Sequence, residues 1–144
     1  MLPPEAFRFR HPVQVRFRDL DPMDHVHHSV PLIYFEEARA AYWRDVAGQP
    51  GLHGIGYVLA HLDVDFKGRI LWPQSVVVLA RVSRVGGKSW VMQYQLRSER
   101  GELLASGESI QAMYDYAAER TIEVPAEIRA RIERYEGRAT PPEA

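Results

Sequence analysis

An α+β domain, in which an antiparallel sheet curls around one long helix, follows from three observations on the chain. Val13, Val15 and Phe17 alternate with polar residues, which is the pattern of a half-buried strand. A single extended helical stretch comes directly after the loop that follows. Four strand candidates then succeed one another through hairpin-like turns, an arrangement that makes an antiparallel sheet with one face free for the helix.

Taken in order, residues 1–11 form an arm rich in proline and arginine and are expected to be flexible. Strand one should begin near Pro12 and run through Phe17. The helix has Ser29 at its N-cap, Pro31 in a first turn that tolerates its missing N–H, Gly48 at its end and Pro50 as a stop. Val30 to Phe35 is apolar all round, so the first half should be enclosed. Glu36, Glu37, Arg39, Arg44 and Asp45 make the later turns amphipathic. At about 1.5 Å per residue this helix spans about 28 Å, the length of an eight- or nine-residue strand.

Ile55 to Phe66 alternates, with Val58, Ala60, Leu62, Val64 and Phe66 on one face and Tyr57, Leu59, His61, Asp63 and Asp65 on the other. Ser75 to Val85 is a β-branched run, Gly86-Gly87 a hairpin turn, and Lys88 to Ser98 alternates through Trp90, Met92, Tyr94 and Leu96. Glu102 to Tyr116 makes the fifth strand. A short helix from about Ala126 to Tyr135 closes a single domain of residues 12–136, and residues 137–144 are expected to be a disordered tail. Strands of this length leave an edge that a second copy of the chain would cover, so a homodimer or homotetramer is expected.

Composition removes several functions. The chain has 144 residues and no cysteine, so thiol nucleophiles, thiolate metal sites and disulfides are excluded together. Lys plus Arg number 18 against 19 Asp plus Glu, and no net field draws the protein to nucleic acid or to an anionic membrane. The N-terminus has no apolar core of a signal peptide and no run of 18 apolar residues occurs, which points to a cytoplasmic protein.

Chemistry is concentrated between Asp19 and His28, where three acids (Asp19, Asp21, Asp24) and three histidines (His25, His27, His28) occupy ten positions. A metal site fits poorly, because the histidine spacing matches no i, i+4 helical pair, and no metal or cofactor is expected. Gly86-Gly87-Lys88-Ser89 resembles the end of a phosphate-binding loop, yet Val82 stands where the first glycine of that motif belongs. It reads as a hairpin whose Lys88 and Ser89 remain candidates for meeting a ligand phosphate. Glu36 and Arg39 read as an ion pair on or beside the helix surface.

Asp21 is different, because a strand end, an acid in a tight loop and a helix N-terminus set a carboxylate beside unpaired N–H groups and a positive dipole end. Attack on an acyl carbonyl needs a base or nucleophile together with donors for the oxyanion. No acid stands ready to protonate a poor leaving group, whereas a thiolate, with a pKa of about 8.5 for a cysteine-like thiol, leaves with little help. A thioester is therefore the acyl substrate suited to this loop. His25 and Ser29 join Lys88 and Ser89 as expected substrate contacts. On spacing alone, a loop carboxylate that caps the helix or pairs with Arg18 is an equal reading of Asp21.

At these residues the sequence resembles the hotdog-fold acyl-CoA thioesterases of the 4-hydroxybenzoyl-CoA thioesterase type. Asp19-Leu20-Asp21, His25-Val26-His27-His28 and Phe35-Glu36-Glu37-Ala38-Arg39 follow that family's order, and the likeness extends through the strand ending at Phe66, the Gly87-Lys88-Ser89 hairpin and Pro125-Ala126-Glu127-Ile128. Two departures stand inside it: His27-His28 where near members have Asn-Asn, and Pro31 where a tyrosine is common. The resemblance implies a five-stranded hotdog sheet wrapped around the central helix. It also implies catalysis by Asp21, an oxyanion donor at the His28 N–H assisted by its side chain, and acyl-CoA as the substrate. Two subunits would join their sheets edge to edge and complete each other's sites. A hotdog module that binds acyl-CoA or an acyl carrier without turnover is the alternative.

Overall fold

The computed structural model describes residues 1–49 and 55–137. Of the tail expected at 137–144, Gly137 instead ends the second helix, its N–H donating to Glu133 O, while residues 138–144 and the expected stop at Pro50 lie outside the described residues. Five long strands, β1 (Phe9–Gln14), β2 (Ile55–Phe66), β3 (Ser75–Val85), β4 (Ser89–Ser98) and β5 (Leu103–Asp115), form one antiparallel sheet in the order β1-β3-β4-β5-β2. A two-residue strand, β6 (Arg120–Thr121), is added to the end of β5. The sheet curls around α1 (Val30–Asp45), and α2 (Ala126–Glu136) closes the far side. Among the described residues no helix is long and apolar enough to cross a membrane.

The core lies between α1 and the concave face of the sheet. Val76, Val78, Ala80 and Val82 of β3 and Trp90, Met92, Tyr94 and Leu96 of β4 are all buried there, as the period-2 pattern requires. Phe35 stacks on Tyr94 with ring centroids 4.9 Å apart, and Trp43 stacks on Trp90 at 5.3 Å. Small residues at Ala38 and Ala41 let the helix approach closely.

Four sequence expectations shift, each for a local reason. β1 begins at Phe9, inside the stretch expected to be a flexible arm, because Phe9, Arg10 and His11 pair with Ala80, Leu79 and Val78 and Phe9 packs on Tyr42. Phe17 leaves the strand pattern: it sits in a 3₁₀ turn, Phe17–Asp19, and is exposed against Trp72. The central helix stops at Asp45 rather than at Gly48, and Gly48 takes a left-handed φ of 71° beyond it. Ile33, within the half of the helix expected to be enclosed, is exposed.

The largest correction concerns β2. Its pairing with β5 shifts register between Leu59 and His61, so a bulge reverses which residues face inward. Tyr57 packs against the core before the bulge, and Val64 does so after it. The uniform alternation expected from 55 to 66 is thus two half-strands of opposite phase. β2 is also an edge strand, and Leu59 and Phe66 remain exposed along it.

Candidate active site

The loop after β1 is held by its own backbone. Asp19 N–H donates to Arg16 O at 2.9 Å, Leu20 and Val26 form an antiparallel bridge, and Asp21 N–H donates to His25 O at 2.9 Å. Asp24 closes the turn at a φ of 63°, a left-handed conformation that aspartate tolerates better than most residues. Asp19 buttresses this frame: its Oδ2 accepts the Arg16 N–H at 2.9 Å and the Tyr34 hydroxyl at 2.6 Å. Burial and the hydrogen bond to Asp19 push the Tyr34 phenol far above its ordinary pKa, which keeps it a donor to that carboxylate.

Asp21 itself is only partly committed. Oδ1 accepts the Met23 N–H at 2.8 Å, whereas Oδ2 has no hydrogen bond among the described residues and lies 3.7 Å from His25 Nδ1. His25 Nδ1 also lies 3.3 Å from Val26 O, a contact that needs the proton on Nδ1 and leaves Nε2 an acceptor in the neutral ring. A carboxylate oxygen is therefore open beside an imidazole.

The helix entry is arranged differently from expectation. Ser29 occupies the N-cap position but caps nothing with its side chain. Instead, His27 Nδ1 accepts the Ser29 N–H at 3.1 Å and lies 2.8 Å from the Ser29 hydroxyl, so the imidazole holds the residue before the helix rather than capping the first turn. Val30 N–H donates to His27 O at 2.9 Å, and Pro31 has no N–H to place. The His28 N–H is left without an acceptor among the described residues, at the positive end of α1.

Asp21, His25 and His28 meet in one cleft of about 310 Å³, whose remaining walls include Pro31, Phe66 and Arg69. The opposite wall comes from the segment after β2, pinned to the loop by Val26 N–H donating to Ile70 O at 2.8 Å. Sequence reasoning missed Phe66, Arg69 and Ile70 as site residues. The signal that they belong here is a long-range hydrogen bond with no trace in local pattern. Ser29 adjoins the cleft without lining it, its N–H and hydroxyl both engaged by His27.

Lys88 and Ser89 do not join the cleft within this chain. β3 leads away from the end where Gln14 pairs with Ser75, and its eleven residues at about 3.3 Å each put the Gly86–Ser89 turn about 30 Å down the sheet. The expected Glu36–Arg39 ion pair is present, although one of its partners lies beneath the surface. Glu36 is exposed and 4.0 Å from Arg39 Nη2, but Arg39 is buried, donating from Nη1 to the Tyr94 hydroxyl at 3.2 Å. Tyr94 meets Ser109, Ser109 meets Gln111, and Gln111 donates to Trp90 O, so the guanidinium anchors a polar chain beneath the helix. Burial pushes the Tyr94 phenol up, with Arg39 opposing the shift.

His61 and Asp63 contact each other at 3.1 Å on the exposed face of β2, away from the cleft lining. A cleft of about 350 Å³, lined in part by Met1, Gln93, Gln95 and Glu108, has no lysine, arginine or histidine among its lining residues. Among the described residues no group of three or more His, Asp or Glu side chains is arranged to hold a metal ion.

A family model described as the thioesterase-like superfamily matches residues 15–132. A thioesterase of Thermus thermophilus, solved in complex with coenzyme A and zinc, is 35% identical, with 93% of this chain and 98% of that one covered at a TM-score of 0.82. A thioesterase-superfamily structure from Jannaschia sp. CCS1 superposes at a TM-score of 0.85 over 94% of this chain and 87% of that one, and at 19% identity it speaks to fold alone. An uncharacterised protein of Bacillus subtilis strain 168, YsmA, is 26% identical over 102 residues, 71% of this chain and 69% of its own length.

Proposed function

The chain belongs to the thioesterase-like superfamily, with a hotdog fold, and from that premise we propose that it hydrolyses an acyl-CoA thioester to the free acid and CoA. One observation carries the reading: Asp21, whose Oδ2 has no hydrogen bond among the described residues, and His28, whose N–H has no acceptor there, line the same cleft beside the start of α1. The carbonyl oxygen of the thioester receives the His28 N–H, and the helix dipole favours the charge that develops there. Asp21 either takes a proton from the attacking water or attacks the carbonyl itself to form a mixed anhydride that water then opens. In both routes the C–S bond breaks and the thiolate departs, a leaving group that needs little protonation. The Thermus relative bound to coenzyme A supports CoA as the thiol carrier.

A general base contributes about 10²- to 10⁴-fold, and a single oxyanion donor about 10²- to 10³-fold. The catalytic pair therefore accounts for a substantial rate without a metal or a cysteine. The cytoplasm, where CoA esters are made and used, is the compartment this reading assigns. A second copy of the chain pairs along β2, whose twelve-residue edge has exposed Leu59 and Phe66 beside it, and brings its own residues to the rim of the cleft. Sedimentation that finds a monomer at micromolar concentration removes that part of the proposal.

Release of free thiol from a panel of acyl-CoAs of varied length and aromatic character tests the activity. Binding without release makes the protein an acyl-CoA-binding module instead. Single-turnover hydrolysis in ¹⁸O water separates the routes, since label entering the Asp21 carboxylate marks the anhydride.

A further inference from the structure

Arg69 stands three residues past the end of β2 and is the one cation among the residues that line the Asp21 cleft. Its side chain is exposed, and among the described residues it has neither a hydrogen bond nor an ion pair. Phe66, Ile70 and Pro31 are apolar residues of the same cleft, so Arg69 adds a permanent charge to a lining whose other polar side chains are Asp21, His25 and His28. Nothing in the hydrolytic steps above uses it.

A guanidinium presents its donors in a planar fork that matches a carboxylate or a phosphate through two parallel hydrogen bonds. The remaining titratable groups of the cleft are Asp21, His25 and His28, none of which offers an anion a permanent positive charge. The cleft, at about 310 Å³, has room for an acyl group and the thioester, and an acyl-CoA carries anions in two places, on the CoA phosphates and on any acyl carboxylate. An anion meeting Arg69 is therefore carried by the acyl group within the cleft, or is a CoA phosphate returned over its rim.

We propose that Arg69 is a specificity-determining residue that binds an anionic oxygen group of the substrate. The inference rests on the thioesterase reading of the cleft. It narrows the substrate class by assigning the charge on one wall to a charge on the ligand.

Four thioesters test it: butyryl and succinyl groups, each on CoA and on N-acetylcysteamine, which has no phosphate. The measurement is kcat/KM for the wild type and for Arg69→Gln. If the partner anion is the acyl carboxylate, Arg69→Gln lowers the succinyl-to-butyryl ratio by about tenfold on both carriers. If it is a CoA phosphate, the CoA-to-N-acetylcysteamine ratio falls by about tenfold for both acyl groups. Arg69→Lys should recover part of the loss, since it keeps the charge without the fork. Equal values for wild type and Arg69→Gln on all four, or an equal fall on all four, overturn the proposal. A wild type that hydrolyses neither these four nor any acyl-CoA of the wider panel refutes the thioesterase reading separately. The same four compounds are then titrated by calorimetry, where ratios of Kd unaltered by Arg69→Gln overturn the Arg69 proposal and altered ratios uphold it.

Discussion

The two ends of the sheet are built from similar materials and finished in opposite ways. At the hairpin end, Gly86 N–H donates to Ser89 O, Val124 N–H to Gly87 O, and Met113 N–H to Lys88 O. β1 is too short to cover the edge of β3 here, and α2 takes its place: Arg129 donates to Val85 O and Gly86 O, while the buried Glu136 accepts from Val82 N–H and the Tyr42 hydroxyl. At the Asp21 end, one carboxylate oxygen, one helix N–H and one guanidinium are left without partners among the described residues around a single cleft. Satisfied groups fasten a fold, and unsatisfied ones that reach solvent are available to a substrate. The difference locates chemistry better than the content of charged residues does, since both ends carry cations and acids.

Substitutions at each end should separate these roles. Asp21→Asn has the largest expected effect: kcat for thiol release falls about 10²- to 10⁴-fold, with an unchanged circular dichroism spectrum. Intact turnover in that variant would remove Asp21 from the mechanism. Next is Glu136→Ala, which removes the buried carboxylate that accepts from Val82 N–H and the Tyr42 hydroxyl at the other end and should cost about 2–4 kcal/mol. A lowered denaturation midpoint with unaltered kcat per folded molecule is the outcome that keeps the two ends distinct. A loss of kcat without destabilisation would join them.

His27→Ala is a smaller perturbation on the catalytic side. It removes the acceptor that holds the Ser29 N–H and so loosens the turn that presents the His28 N–H; kcat should fall about tenfold with little change in KM. His27→Asn, whose amide oxygen can accept the same N–H, should restore most of the rate. Loss in both variants alike would show that the ring does more than hold the turn. The smallest effect is expected from Lys88→Ala, with KM for an acyl-CoA within about twofold of wild type, because surface charges remote from a site act weakly through screened solution. A tenfold rise would mean that a second chain brings its hairpin to the cleft.

Much of the fold was legible in the residues. The alternation from Trp90 to Leu96, the β-branched run from Ser75 to Val85, the glycine turn between them and the single helix after Ser29 each report a repeating backbone geometry, and all appear where the pattern put them. The heart of the cleft was legible for the same reason. Asp21, His25 and His28 fall within eight positions, so one loop and one helix entry suffice to bring them together.

Tertiary structure decided the rest, wherever the outcome depended on a partner distant in sequence. The bulge between Leu59 and His61 arises in pairing with β5 and turned the second half of β2 over. Arg39 is buried because Tyr94, fifty-five residues away, offers its hydroxyl beneath the helix. The bond from Val26 to Ile70 brought Phe66 and Arg69 to face Asp21, while the length of β3 carried Lys88 and Ser89 to the far end. Local periodicity and short-range hydrogen bonds are written in consecutive residues, and so the sequence alone determined the elements and the acid beside the helix. Register, edge and opposite wall come from contacts between segments that only the folded chain brings together.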